Sequence, residues 1–254
     1  MHRSAGFSRL GFVDTNKPTA LVTGANKGIG FETARQLAQQ GFTVWLGCRD
    51  DERGKAAEAA LADDGDVRFV QLDVTDPESV TAAANRIGDE AEALDVLVNN
   101  AGIAIADGEG FPGAVQLETI RQTFDVNFYG ALRVTQEFLP LVRKARAGRI
   151  VNVSSTMGSI SAALTPGSVG RFPIFAYPAS KTLLNSLTAW LAVELGATPI
   201  KVNSVCPGFN ATDLNNHTGT QHPAEGAKVV VQAATLPADG PSGSFFDANG
   251  SVGW

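Results

Sequence analysis

The sequence has few of the residues that characterise several large classes of protein. Its 254 residues include only two cysteines, Cys48 and Cys206. Two thiols do not make a disulfide framework, so both are expected to be free and buried. No apolar run reaches the roughly 18 residues that a membrane-spanning helix needs, and the N-terminal residues lack the apolar segment of a secretory signal. These absences predict a cytoplasmic protein with no membrane partner.

Charge and histidine content exclude further classes of function. The net charge is −6 and the basic residues are not clustered, which argues against a nucleic-acid partner. His217 and His222 lie in a polar loop without cysteine or carboxylate at metal-ligand spacing, so they are expected to be solvated and no metal site is predicted. A G-x-S-x-G nucleophile turn is also absent, so the sequence offers no nucleophile motif for a Ser-His-Asp hydrolase.

Short apolar strands alternate along the chain with predicted helices of about 10–15 residues. This alternation predicts βαβ units and a parallel sheet. Right-handed crossovers then give a single doubly wound α/β sheet, a Rossmann-type fold with three α/β/α layers. One domain is expected over residues 18–254, after a flexible extension of residues 1–17, and residues 158–173 are interpreted as a loop. The predicted strands are 19–23, 43–47, 67–72, 94–98, 149–154, 200–205 and 243–246, and the predicted helices are 28–40, 52–62, 77–91, 117–145, 178–195 and 223–236.

A glycine-rich turn follows the first predicted strand and opens the first predicted helix. It spans residues 23–30, with the sequence TGANKGIG. Gly24, Gly28 and Gly30 permit a tight turn and let a pyrophosphate approach the N–H groups of the helix start. This pattern predicts a dinucleotide site.

The end of the second strand distinguishes the two nicotinamide dinucleotides. An acidic residue at that point binds the ribose 2′-hydroxyl of NAD, whereas a basic residue pairs with the 2′-phosphate of NADP. Arg49 stands there, and Lys27 adds a second cation. Asp50, Asp51 and Glu52 follow closely enough to neutralise Arg49. The two cations nevertheless favour NADP(H).

Tyr177 and Lys181 lie four residues apart, on one face of a predicted helix. Reduction of a ketone needs a proton donor at the carbonyl oxygen, and an unperturbed tyrosine has a pKa of about 10. Lowering this pKa by two units requires roughly 2.7 kcal/mol. An ammonium at about 4 Å supplies on the order of 4 kcal/mol at an effective dielectric of about 20. Lys181 is therefore expected to lower the pKa of Tyr177 enough for Tyr177 to act as the acid.

A pair of serines ends the fifth predicted strand, at the edge of the sheet where open α/β proteins bind ligands. Side-chain alternation lets only one of Ser154 and Ser155 face the site. Four aromatic residues are candidates either for the pocket lining or for ordinary packing: Phe111, Phe172, Phe175 and Phe209.

In combination, these motifs resemble the short-chain dehydrogenase/reductase family over residues 18–254, most closely the NADPH-dependent carbonyl reductases. The resemblance implies reduction of a ketone or aldehyde by hydride transfer, with Ser155 rather than Ser154 beside the tyrosine. It implies that Asn127 holds a relay water for Lys181, so the catalytic set is Asn127, Ser155, Tyr177 and Lys181. Asp73 would hold the adenine, Asn100 the ribose region and Thr212 the nicotinamide amide. The implied cofactor-binding residues are Gly24, Asn26, Lys27, Gly28, Ile29, Gly30, Arg49, Asp73, Val74, Asn100, Ala101, Gly102, Tyr177, Lys181, Pro207, Gly208 and Thr212.

The substrate and the assembly stay open at the level of sequence. A 3-oxoacyl-thioester or sugar ketone reductase would use the same residues, and a protein that senses NADP(H) without turnover is the alternative outside the enzymes. Ser155 and Tyr177 are 22 positions apart, longer than the family's usual spacing but shorter than the insertion of the monomeric carbonyl reductases implies. The helix that follows Tyr177 is apolar over more than one face, which favours a homodimer or homotetramer.

Overall fold

The computed structural model describes residues 17–167 and 172–254. The prediction of an N-terminal extension therefore falls almost entirely outside the described residues. The strands are β1 Thr19–Thr23, β2 Thr43–Cys48, β3 Val67–Gln71, β4 Val96–Asn99, β5 Arg149–Val153, β6 Lys201–Val205, β7 Ser244–Asp247 and β8 Gly250–Ser251. The helices are α1 Gly28–Gln39, α2 Asp51–Ala60, α3 Pro77–Glu90, α4 Leu117–Phe124, α5 Ala131–Val142, α6 Ile160–Leu164, α7 Ala176–Glu194 and α8 Pro223–Ala234.

All eight strands form one sheet in the order β3-β2-β1-β4-β5-β6-β7-β8. The first seven run parallel, and β8 pairs antiparallel with β7. From β1 the chain builds outward through β2 to β3, and then returns to the other side of β1 with β4. The carboxyl ends of β1 and β4 therefore meet where the strand order reverses, which is where open α/β sheets bind ligands. The predicted doubly wound fold is confirmed.

Two apolar layers cover the faces of the sheet. One packs the sheet against α1, α2 and α8, and includes Leu37 and Val230. The other packs the opposite face against α3, α5 and α7, and includes Phe138 and Leu191. Because β1 and β5 are buried along their whole length, apolar residues form the majority of each, as expected of strands covered on both faces. Within the described residues, no helix combines the length and apolarity needed to cross a membrane.

Residues 117–145, predicted to be mostly helical, form α4, a π-helical turn over Asp125–Gly130 and α5, so the prediction holds for all but the last three residues. A Cβ on Gly130 would lie 2.7 Å from Cγ2 of Val74, so glycine lets this turn pass close to the β3–α3 connection. Residues 158–173 are not simply a loop, because they contain α6. The Ser159 hydroxyl starts α6 by accepting a hydrogen bond from the Ala162 N–H.

Candidate active site

A cleft of about 820 Å³ opens at the carboxyl ends of β1, β4, β5 and β6. Every residue predicted to bind the dinucleotide lines it, and so does Ser155. Among the described residues, Asn127 is the one member of the predicted site outside the lining; it is buried behind the cleft wall. The predicted residues therefore converge on one place in the fold.

The glycine turn forms one end of the cleft and fits a pyrophosphate. Gly24 and Gly28 have φ angles of +65° and +59°, which glycine adopts without strain. A Cβ on Gly30 would lie 2.4 Å from Nδ2 of Asn100, and that nitrogen in turn donates to the carbonyl oxygens of Thr23 and Gly24. Within the described part of the chain no side chain caps α1, so its first N–H groups are available to an anion.

Two arginines line the cleft at the end of β2. Arg49 makes no ion pair within the described residues, and the two acids that directly follow it have other partners. The Asp50 carboxylate caps α2 by accepting from the Arg53 N–H at 2.9 Å, and Asp51 pairs with Lys55 at 2.6 Å. Arg53 also lines the cleft and was missed in the sequence. Its position could have indicated a role in binding an anion, because a cation in the first turn of a helix is disfavoured by the helix dipole.

Lys27, predicted to lie near the 2′-phosphate, lines the cleft and has an acidic partner within the protein. Its ammonium pairs with Asp213, which connects the glycine turn to the segment after Thr212, and this pairing holds the pKa of Asp213 below its ordinary value. His217 is bound to the same carboxylate at 2.9 Å, and Nδ1 of His222 caps α8 by accepting from the Ala224 N–H. Both histidines are exposed, as predicted, and each also has a polar partner on the surface.

The remaining cofactor-side residues lie along the same wall. At the end of β3, Asp73 Oδ1 accepts hydrogen bonds from the Thr75 N–H and hydroxyl at 2.9 and 2.7 Å, which orients the carboxylate. After β6, Gly208 adopts a φ of +84°. The Thr212 methyl group lies 3.4 Å from where a Cβ on Gly28 would stand. Among the residues described, no cluster of histidine, cysteine and carboxylate side chains could hold a metal ion.

Tyr177 and Ser155 meet at the carboxyl end of β5. Tyr177 is the second residue of α7, and it lines the cleft together with Ser155. The Ser155 Oγ also accepts from the Met157 N–H at 3.2 Å. Ser154 is buried, and its hydroxyl points at the Lys181 carbonyl, 3.5 Å away. Both serines line the cleft, and Ser155 is favoured because the Ser154 hydroxyl is turned towards α7.

Lys181 is buried one helical turn beyond Tyr177. Its Nζ donates to the Val153 carbonyl at 2.8 Å and lies 5.7 Å from the centre of the Tyr177 ring. A Cβ on Gly102 would approach this nitrogen to 3.5 Å, so glycine leaves room for the ammonium beside the cleft. Burial lowers the pKa of Lys181 to about 8.

The pKa of Tyr177 differs from the expectation. Burial raises it to about 12, and the charge of the nearby Cys206 acts in the same direction, while the Ser155 side chain opposes both. The sequence-based expectation included the attraction of Lys181 but not the loss of water around the phenol. In the protein alone, desolvation is the larger effect, and Tyr177 stays protonated at neutral pH.

Asn127 lies in the π-helical turn and connects three elements around Lys181. Its Nδ2 donates to the Ile103 carbonyl at 2.9 Å and to the Ser180 hydroxyl at 3.0 Å, and its Oδ1 accepts from the Ile103 N–H at 2.8 Å. Both amide hydrogens are therefore used. The side chain of Asn127 can contact a relay water only as an acceptor.

The aromatic candidates separate into lining and surface. Phe209 lines the cleft, together with Met157 and Ile174. Phe111 and Phe172 are 51% and 48% exposed and, within the described residues, are not part of that lining. Phe175 precedes the first turn of α7 as its N-cap residue. Cys206, which the sequence analysis interpreted as a buried residue only, also lines the cleft, and its sulfur accepts from the Thr156 N–H at 3.3 Å.

Residues 18–223 match the family model described as short chain dehydrogenase. The chain is a short-chain dehydrogenase. It is 33% identical to (+)-neomenthol dehydrogenase of Capsicum annuum, covering 91% of this chain and 96% of the relative. It is 35% identical to carbonyl reductase [NADPH] 1 of Mus musculus, covering 92% and 97%. The crystal structure of NADPH-bound carbonyl reductase from chicken fatty liver superposes with a TM-score of 0.82 at 28% identity, covering 94% of this chain and 99% of that one.

Membership in this family assigns the chain to the oxidoreductases, and the predicted class of enzyme is confirmed. The short-chain dehydrogenase fold accounts for the arrangement of the cleft. Three parts of the cleft come from distant parts of the sequence: the glycine turn after β1, the serine after β5 and the tyrosine of α7. They lie together because the sheet places the carboxyl ends of its parallel strands along one edge.

Proposed function

We propose that this short-chain dehydrogenase reduces a ketone or aldehyde of a small molecule to the alcohol, with NADPH as reductant. The observation that carries the proposal is the meeting of Tyr177, Ser155 and Lys181 in the same cleft as the glycine turn. A bound dihydronicotinamide would supply the hydride, while the protein supplies binding, orientation and the proton.

In this proposal each polar residue of the site has one task. Tyr177 is protonated at neutral pH, which is the state that a proton donor needs. Because burial makes the phenol reluctant to ionise, its release of a proton depends on neighbours that stabilise the phenolate. The Ser155 hydroxyl does so by donating a hydrogen bond, and the Lys181 ammonium does so by its charge. Asn127 fixes the wall beside Lys181 and accepts from a water that restores the proton.

NADP(H) is the proposed cofactor because two arginines stand at the end of β2, while the two acids that directly follow Arg49 are bound elsewhere, Asp50 at the start of α2 and Asp51 to Lys55. Arg49 and Arg53 both line the cleft, and an arginine pairs strongly and specifically with a phosphate. Asp50, the acid nearest to them, is held at the start of α2. The carbonyl reductases named above are NADPH enzymes by their own names, which supports the same choice.

The substrate side of the cleft favours an apolar carbonyl compound. Met157 follows Ser155, Ile174 precedes α7 and Phe209 follows β6, and all three line the cleft. A panel of cyclic and aromatic ketones, a sugar ketone and a 3-oxoacyl thioester, each assayed with NADPH and with product identification, tests this directly. Turnover is expected to be fastest with the apolar ketones. Failure to reduce any carbonyl compound would favour the alternative of a protein that only senses the dinucleotide.

We further propose that the enzyme is a homodimer or homotetramer in solution. On α7, Leu184 and Leu191 are buried, but Trp190 and Val193 are 71% and 72% exposed on the opposite side. The described part of residues 158–173 leaves these two side chains uncovered. Light scattering at micromolar concentration is expected to give at least twice the chain mass of 26.5 kDa.

The variant Trp190→Glu should shift the protein towards the monomer, because it places a charge in the proposed interface. Leu164→Glu is the matched control, since Leu164 is 80% exposed on α6, and it should leave the mass unchanged. A wild-type mass near 26.5 kDa would refute association.

We also propose a cytoplasmic location and a domain boundary at residue 18. Cell fractionation tests the location, and limited proteolysis tests the boundary.

A further inference from the structure

The first turn of α7 carries Tyr177 but has no cap of its own. The N-terminal N–H groups of a helix lack partners within the helix and need an acceptor from elsewhere. Phe175, at the N-cap position, offers no side-chain acceptor. Pro178 has no N–H to satisfy, and the Ala179 N–H already bonds to the Phe175 carbonyl at 2.9 Å. Three groups remain, the N–H groups of Phe175, Ala176 and Tyr177.

One carboxylate from another part of the fold accepts all three. Oε2 of Glu109 accepts from Phe175 at 2.8 Å and from Ala176 at 3.1 Å, while Oε1 accepts from Tyr177 at 3.1 Å. Glu109 lies in the connection between β4 and α4, 68 residues before Tyr177. A carboxylate at this point also interacts favourably with the positive end of the helix dipole.

The same connection is fixed at its other end to the catalytic wall. Ile103, just after β4, exchanges two hydrogen bonds with the Asn127 side chain. Between these points, the Gln116 N–H bonds to the Gly108 carbonyl, and the Thr119 hydroxyl bonds to the Asp107 carbonyl. The connection is therefore held against Asn127 and α4. Because Glu109 belongs to this connection and binds the Tyr177 N–H, the placement of the connection determines the placement of the Tyr177 backbone.

We propose that Glu109 is a positioning residue for the proton donor. By holding the Tyr177 backbone, its carboxylate sets the placement of the phenol against Ser155. This inference rests on the proposed role of Tyr177 and extends it to a residue that does not line the described cleft. A displacement of about 1 Å at a reacting group can lower a rate by roughly two orders of magnitude, so the effect should be measurable in turnover.

Glu109→Ala is expected to lower kcat with the best ketone by about tenfold or more, while the Kd for NADPH changes less than about threefold. The Kd is spared because the glycine turn and Arg49 lie on other elements. Glu109→Gln should lose less, because its amide oxygen still accepts. The solvent deuterium isotope effect on kcat should increase in Glu109→Ala, because transfer of the proton from a displaced phenol becomes more nearly rate-limiting.

Asp76→Ala is the matched control for the loss of a helix cap. The Asp76 carboxylate accepts from the Glu78 N–H at the start of α3 and is exposed. Its removal should lower Tm by a few degrees, as a lost cap does in a chain of this size, and should leave kcat within about twofold. All rates are measured well below the Tm of every variant.

Two results would overturn the inference. One is a Glu109→Ala enzyme with kcat within about twofold of the wild type, and the other is an equal loss of kcat in Glu109→Ala and Asp76→Ala. If Glu109→Ala does not fold, the same criteria apply to Glu109→Leu, which keeps the bulk of the side chain but has no acceptor. An inactive Tyr177→Phe beside a fully active Glu109→Ala contradicts only the role of Glu109. A fully active Tyr177→Phe contradicts the proposed function itself.

Discussion

Replacing Tyr177 with phenylalanine is expected to lower kcat for ketone reduction by about 10²- to 10⁴-fold, the usual contribution of a positioned acid. The change removes one hydroxyl and keeps the ring, so α7 and its packing should persist. Binding of NADPH should remain nearly intact, because much of the affinity comes from the glycine turn and the two arginines of the cleft. The measurements are kcat with a ketone identified in the panel and the Kd for NADPH by fluorescence.

The chain contains a matched control for this variant. Tyr129 is its only other tyrosine, and it is 51% exposed on the π-helical turn. Tyr129→Phe should leave kcat unchanged. If Tyr177→Phe kept more than about a tenth of kcat, the loss would be under about 1.4 kcal/mol, and Tyr177 would not be the principal acid.

Much of the fold was predictable because β1, β2, β4 and β5 are buried over most of their length and apolar residues form the majority of each. The six central strands were predicted to within two residues at either end. The elements that were missed lack such a signal. The strand β8 has two residues, too few for any pattern, and α6 has only five, too few to show a helical period. The π-helical turn leaves the apolar pattern of residues 117–145 unbroken.

The residues of the candidate site were predictable for a related reason. They occupy the carboxyl ends of parallel strands, and the sheet brings those ends together regardless of the intervening sequence. What sequence could not supply were the tertiary contacts. The pKa of Tyr177 depends on how much water its neighbours exclude, and the partner of Lys27 lies 186 residues away. Glu109 has no local motif, since its function depends on the start of a helix 66 residues further on.

The second large effect is expected from Arg49→Asp. The change removes a cation from the proposed 2′-phosphate position and puts a carboxylate in its place. The loss of a charge-assisted hydrogen bond of about 1.5–3 kcal/mol corresponds to roughly a 10- to 150-fold fall in kcat/KM with NADPH, and repulsion of the phosphate adds to it. A carboxylate at this point can accept from the ribose hydroxyl of NADH. The preference for NADPH should therefore be abolished or reversed.

The decisive measurement is the ratio of kcat/KM for the two cofactors in each variant. Arg146→Asp makes the same change in net charge at an exposed residue that, among those described, is not part of the cleft, and it should leave the ratio unchanged. Arg53→Ala should lower the ratio less than Arg49→Asp does, because it removes a cation without adding an anion. Equal efficiency of the wild type with NADPH and NADH would refute the proposed specificity. If the ratio of kcat/KM for the two cofactors is unchanged in Arg49→Asp, Arg53 rather than Arg49 binds the phosphate. Arg53 is available for this because Asp50 is engaged at the start of α2.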